Sequence, residues 1–242
     1  MEHYYSLDHA IGAASSFVDK LSESKQKRLK ESIEHGCANI DSDAQLKMYL
    51  HLYGDIHRHK LELAFNHIPQ SLWEDYNVSL FDYGCGQGIA EMALYDFLRS
   101  KDFNHRSVKE ITLIEESKAN LDRANQNAAD VFHGVVPVAL HKSVADVTEN
   151  EVFSSNASIH IFSNVIDIPD FPREHIANLL SNKKNSVVIC VSPFYPNPGR
   201  GQHMKEFGKL LKGYERYYKL EKHSDDWSKD HSCQLHIYIS RN

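Results

Sequence analysis

Apolar positions in the first third of the chain recur with helical spacing. Leu7, Ile11, Ala14, Phe17, Val18, Leu21, Leu29 and Ile33 follow a three-to-four rhythm between Ser6 and about Glu34, with weak stretches. Ser6 stands where a helix cap is expected, and Gly36 fits the position just past the end. A second helical run starts near Ser42 or Asp43 and carries Leu46, Tyr49, Leu50, Tyr53, Ile56, Lys60, Leu61 and Phe65. Gly54 marks a candidate break in it, and Pro69 closes it. No strand signal appears before residue 70.

From Ser79 the pattern changes to alternation. It predicts strands at about 79–83, 110–115, 135–141, 159–163 and 187–192. Helical segments fall between them at 89–100, 117–130, 147–153 and 173–180. Strands alternating with helices imply βαβ units and a parallel sheet with right-handed crossovers. After Ser192 a helix at 202–211 precedes two strand-like runs, 214–222 and 234–240, across a polar stretch. Those two runs predict an antiparallel pair at one end of the sheet.

Composition narrows the class without choosing a function. The chain has 242 residues, 41% hydrophobic and 25% charged, which excludes disordered, collagenous and coiled-coil classes. No apolar run approaches the ~20 residues of a membrane-spanning helix. The opening Met1-Glu2-His3-Tyr4-Tyr5 lacks the basic and apolar regions of a secretory signal. Cys37, Cys85, Cys190 and Cys233 form no CxxC pair, so reduced thiols in a cytoplasmic protein are expected, with no structural metal. The sixteen histidines form no metal-binding motif. Net charge is -6, unevenly spread: residues 1–70 carry -2, residues 71–170 carry -9 and residues 171–242 carry +5. A basic end beside an acidic middle can mark a polyanion-facing side.

The sharpest local signal is Leu80-Phe81-Asp82-Tyr83-Gly84-Cys85-Gly86-Gln87-Gly88-Ile89-Ala90. A short apolar strand runs into three alternate glycines and then a helix. Glycine permits tight turns and close approach of a ligand to the backbone, and the helix start offers free N–H groups. A dinucleotide fingerprint needs glycine or alanine where Ile89 stands. An acid at Asp82 also disfavours a pyrophosphate. The D-x-G-x-G-x-G pattern resembles motif I of the class I S-adenosylmethionine-dependent methyltransferases. The resemblance covers Ser79 to the C-terminus, about two thirds of the chain.

That resemblance implies a Rossmann-like, seven-stranded, mostly parallel sheet with helices on both faces and an N-terminal helical lid. It divides the chain into a helical region, 1–74, and a cofactor-binding domain, 75–242. It implies that Asp82, Gly84, Gly86 and Gly88 hold the amino-acid part of S-adenosylmethionine. Glu115 ends the second strand, where a carboxylate accepts both ribose hydroxyls; its neighbour Glu116 suits the opening of the next helix. Ser143 or Asp146, after the third strand, is placed to meet adenine, although Asp146 equally suits a helix cap. Asn164 and Asp167, after the fourth strand, are the candidate catalytic residues; turn formation and capping account for them equally well.

Beyond the fifth strand, Ser192-Pro193-Phe194-Tyr195-Pro196 resembles the [DNS]-P-P-[FYW] signature of amino-methyltransferases. It departs at the second proline and follows the wrong strand. A rigid aromatic loop over the substrate opening is the alternative, with Phe194 and Tyr195 as substrate contacts. Tyr53 and His57, on the second helical run, are the other substrate candidates. Lys205, Lys209, Lys212 and Arg216 recur at four, three and four, making one basic face if the helix continues. With Arg200 that face could meet nucleic-acid phosphates; a solvated face is the plainer reading. The expected function is methyl transfer to an RNA, protein or small molecule. The alternatives are a non-catalytic protein of the same fold that engages RNA or a ribosomal partner, and an NAD-binding oxidoreductase.

Overall fold

A computed structural model describes residues 2–34, 40–193, 198–222 and 233–241. Gly36, Phe194 and Tyr195 lie outside the described residues.

The N-terminal region is helical: α1 (Leu7–Val18), α2 (Glu23–Ser32), α3 (Asp43–Phe65) and the short α4 (Ser71–Asp75). Ser6 caps α1 by accepting from the His9 N–H, and Ser42 caps α3 by accepting from Gln45. The first apolar run therefore makes two helices, where its periodicity predicts one. In a straight helix Val18 and Ile33 would stand about 22 Å apart. The turn after Val18 instead brings them into one cluster with Ile40, Leu46 and Met48.

Gly54 does not break α3, which runs uninterrupted through it. A Cβ there would lie 2.7 Å from Cγ1 of Ile11, so the glycine lets α1 pack closely on α3.

The sheet comprises β1 (Val78–Tyr83), β2 (Val108–Glu115), β3 (Val138–His141), β4 (Ala157–Ser163), β5 (Ser186–Pro193), β6 (Tyr214–Lys222) and β7 (Cys233–Ser240). Their order is β3-β2-β1-β4-β5-β7-β6. The first five strands pair in parallel, and β7 inserts antiparallel between β5 and β6. The sheet is thus mixed. β3 begins at Val138, later than its alternation predicts, because Pro137 has no N–H for the ladder and pairing with β2 starts at Thr112↔Val138.

Between the strands run α5 (Ile89–Ser100), α6 (Lys118–Val131), α7 (Arg173–Leu180) and α8 (Pro198–Leu210). The helix predicted at 147–153 is instead a pair of 3-10 turns, Val144–Asp146 and Glu149–Val152. Thr148 and Glu151 close a capping box on the second. Asp146 therefore caps nothing there.

One core cluster joins Leu7, Ala10, Leu50, Leu61 and Phe65 of the N-terminal helices to Leu80, Ile111, Ile159 and Ile189 of the sheet. Strand order reverses between β1 and β4. Ligands of open α/β sheets bind at such a switch point, beyond the carboxyl ends of the strands.

Candidate functional site

A cleft of about 750 Å³ opens at that switch point. Its floor is the loop between β1 and α5, and its three glycines do different work. Gly84 (φ +69°) donates to the Ile114 carbonyl at 2.8 Å, and a Cβ on it would meet Val165 at 2.7 Å. Gly88 (φ +79°) starts α5, and a Cβ there would stand 3.0 Å from the Ala124 backbone of α6. Gly86 (φ +54°) faces open space, with nothing within 4 Å of where its Cβ would be. The first and last glycines shape the loop, and the middle one leaves room for a ligand.

Glu115 ends β2 at the cleft wall. Its carboxylate accepts from the Gly86 N–H at 3.0 Å and from the Ser117 N–H at 2.8 Å. Two backbone donors thus fix its direction. Glu116 also borders the cleft. Ser143, after β3, lines the cleft, and its hydroxyl accepts from the Ala145 N–H at 3.3 Å. Asp146 is exposed and does not line it.

Asp82 lines the cleft but is only 2% exposed. Burial pushes its carboxyl well above the usual range, and the neighbouring Glu91 and Glu115 push it the same way. Glu91 is fully buried in the first turn of α5, and burial raises its carboxyl to about 7. An acid in a first turn ordinarily faces solvent and complements the helix dipole. Glu91 instead occupies an apolar stripe with Leu94 and Leu98, a pattern present in the sequence and readable there.

α3 forms the opposite wall through Tyr49 and His57. His57 is buried against Asn164 and Tyr49: Asn164 Nδ2 lies 2.6 Å from Nδ1, and the Tyr49 hydroxyl lies 2.8 Å from Nε2. Burial, then the charge of Lys60, holds the imidazole well below its ordinary pKa. Lys60, 2% exposed, donates to Oδ1 of Asn164 at 2.7 Å, and burial lowers its ammonium to about 8.

Asn164 itself lines the cleft in the left-handed region (φ +61°), which asparagine tolerates better than most residues. Both ends of its amide are engaged, because Nδ2 also donates to Ser163 at 3.2 Å. Asp167 is buried away from the cleft lining and accepts from the Ser192 hydroxyl at 2.9 Å. Tyr53 also lies off the lining, packing on Tyr49 with ring centroids 5.0 Å apart.

The structure therefore gathers Asp82, Gly84, Gly86, Glu115, Ser143, His57 and Asn164 around one cleft. Gly88 stands behind the loop. Sequence reasoning passed over Tyr49, Gln87 and Glu91. Gln87 lines the cleft and ties the loop to the N-terminal helices by donating to the Leu46 carbonyl at 3.1 Å.

The basic residues do not form one helical face. α8 ends at Leu210, so Lys212 sits in a turn and Arg216 on β6. Lys205 pairs with Glu221 at 3.4 Å, and the side chain of Arg200 lies outside what is described. Among the described residues, no group of three or more His, Cys, Asp or Glu is arranged to hold a metal ion, and no helix is long and apolar enough to cross a membrane.

No family model and no curated protein matches the sequence. Solved structures do. The chain is similar to an S-adenosylmethionine-dependent methyltransferase from Leishmania major, at 11% identity over 87% of this chain and 82% of that one, with a TM-score of 0.53. It is similar to the plantazolicin methyltransferase BpumL, solved with S-adenosylhomocysteine, at 13% identity over 90% and 99% of the two chains (TM-score 0.51). It is also similar to magnesium protoporphyrin IX methyltransferase from Synechocystis PCC 6803, at 11% identity over 94% and 97% (TM-score 0.50). The fold is that of the class I, Rossmann-like methyltransferases.

Proposed function

We propose that the protein is an S-adenosylmethionine-dependent methyltransferase. The observation that carries this reading is the pairing of Gly86 with Glu115. The glycine leaves open space above the loop, and its own N–H aims the Glu115 carboxylate beside that space. A carboxylate so held accepts both hydroxyls of a ribose. Asp82, Gly84 and Gly86 take the amino-acid part of the cofactor, Gly88 keeps the loop in shape, and Ser143 meets the adenine. When bound, the cofactor supplies an electrophilic methyl group on a sulfonium.

The chain's own contribution is alignment. Holding acceptor and methyl donor in reach lowers the barrier without a dedicated base. Residues 1–74 act as a helical lid on the cofactor domain, 75–242. Tyr49 and His57 border the acceptor's approach, and Tyr53 supports Tyr49. Asn164 and Asp167 act by position: Asn164 fixes His57, and Asp167 anchors Ser192. The acceptor is an RNA, a protein or a small molecule. Cys85 and Cys190 are buried thiols, in keeping with a cytoplasmic protein.

Calorimetry with S-adenosylmethionine and S-adenosylhomocysteine tests the reading. Binding that weakens in Asp82→Ala and Glu115→Ala is expected. No binding to the wild type, or binding unchanged in both variants, would overturn it. A protein that binds the cofactor yet transfers no methyl group to fractionated cell extract would be a binding protein of this fold.

A further inference from the structure

Asp82 and Glu91 face one another beneath the cleft, from the end of β1 and the first turn of α5. Their carboxyls lie close enough that each perturbs the other's ionisation. Neither oxygen of Glu91 receives an N–H or O–H from another described residue, although the side chain is fully buried. Two ionised carboxylates buried side by side, one of them with no donor from another described residue, would repel each other, so the pair favours holding a proton. The other titratable groups facing the pair are Glu115 on β2 and the thiol of Cys85 in the glycine loop. None of these is a cation. A buried pair of acids thus stands at the floor of a cleft with no positive charge among the groups that face it. Only Asp82 of the two lines that cleft.

Given the cofactor reading above, on which this inference rests, we propose that Asp82 and Glu91 share one proton in the free protein and that the α-ammonium of the bound cofactor displaces it. Asp82 touches the ammonium. Glu91 acts through Asp82 as a positioning residue, since it sets how many protons the pair holds. The ammonium keeps its own protons, and the displaced proton passes to solvent. The ammonium's positive charge takes the place of the displaced proton's, so the net charge of the buried site is unchanged. Burial and mutual repulsion both favour the protonated pair before binding.

The proton count distinguishes this from a plain acidic contact. Calorimetry at pH 7 in buffers of different ionisation heat should show S-adenosylhomocysteine releasing about one proton on binding, with affinity rising by up to about tenfold per unit as pH increases towards neutrality. S-adenosylmethionine should release the same number, because both ligands carry the ammonium. 5′-Methylthioadenosine, which lacks the amino-acid part, should release none. In Glu91→Gln the amide donates to an ionised Asp82, so release should vanish and affinity should lose its pH dependence. Release by S-adenosylmethionine but not S-adenosylhomocysteine would assign the effect to the sulfonium and overturn the proposal. So would binding without release, or equal release by 5′-methylthioadenosine. No binding by any of the three would remove the cofactor reading itself. The wild-type comparison needs no variant to fold.

Discussion

Lys60 of α3 donates to Oδ1 of Asn164 at the end of β4, and that bond orients a chain of donors reaching the cleft. A lysine ammonium has three donors and no acceptor, so the Asn164 carbonyl must face it. The amide nitrogen then faces Nδ1 of His57 and donates to it. The remaining ring nitrogen, Nε2, therefore carries the proton and donates to the Tyr49 oxygen. The expected outcome is a neutral His57 in the Nε2–H form, and nitrogen NMR of labelled imidazole reads it directly. Because its pKa lies well below 6.5, the ring should stay neutral as pH falls through that value. In Lys60→Met the amide is free to turn, and both tautomers should populate. A wild-type ring protonated at Nδ1 would refute the chain.

Asn164 carries two separable loads, hydrogen bonds and a left-handed backbone. Asn164→Ala loses the partners of Lys60 and His57 and adds backbone strain. A cost of about 3 kcal/mol in urea unfolding is expected. Asn164→Gly loses the same bonds without the strain and should recover about 1 kcal/mol. Equal stabilities for the two variants would show that the backbone carries no strain there.

The glycine loop offers a contrast within three residues. Gly88→Ala drives a Cβ onto the Ala124 backbone at positive φ, so a loss of about 2–4 kcal/mol of stability is expected. Gly86→Ala meets no protein atom, and its backbone strain should cost only about 1 kcal/mol. Its methyl group enters the ligand space instead. Cofactor binding should therefore weaken tenfold or more, roughly 1.4 kcal/mol or above, in a protein that remains folded. Thermal unfolding paired with calorimetry separates the two effects.

His160 predicts an acid-side instability. It is fully buried between Tyr83 and Ser158, at 3.0 and 3.1 Å, and burial holds its pKa at about 3. Unfolded, a histidine titrates near 6.5. The unfolded chain thus binds the extra proton first. The stability that the neutral ring contributes is complete above about pH 6.5 and is lost as pH falls towards 3. The slope is at most about 1.4 kcal/mol per pH unit. Asp82 and Glu91, whose pKa values are raised, act in the opposite sense above their unfolded range, for Glu91 up to about 7. The informative measurement is therefore a difference: wild type against His160→Gln, by urea unfolding from pH 7 to 4. The variant should lack one proton's worth of slope.

Local pattern carried much of this protein. Alternation from Ser79 onward located all seven strands, and the run Asp82 to Gly88 located the loop between β1 and α5. These are properties of residues close in sequence, and backbone periodicity records them directly. The break after Val18 escaped because both sides of it are helical, and only the packing of Ile33 back onto Val18 requires it. Gly54 misled for a related reason. A glycine marks a break or a close contact equally well, and the contact is made by Ile11, 43 positions earlier.

The sequence by itself determined the succession of the seven strands, the glycine loop and the acid that ends β2. Tertiary structure decided what the polar residues can do. Lys60 and Asn164 stand 104 positions apart, yet each fixes the other's hydrogen bonds. The stripe that Glu91 shares with Leu94 and Leu98 marks its burial in the sequence, but only the fold sets it beside Asp82. Periodicity says which face of an element is apolar. It does not say which distant group that face meets, and hydrogen bonding and protonation depend on that distant group.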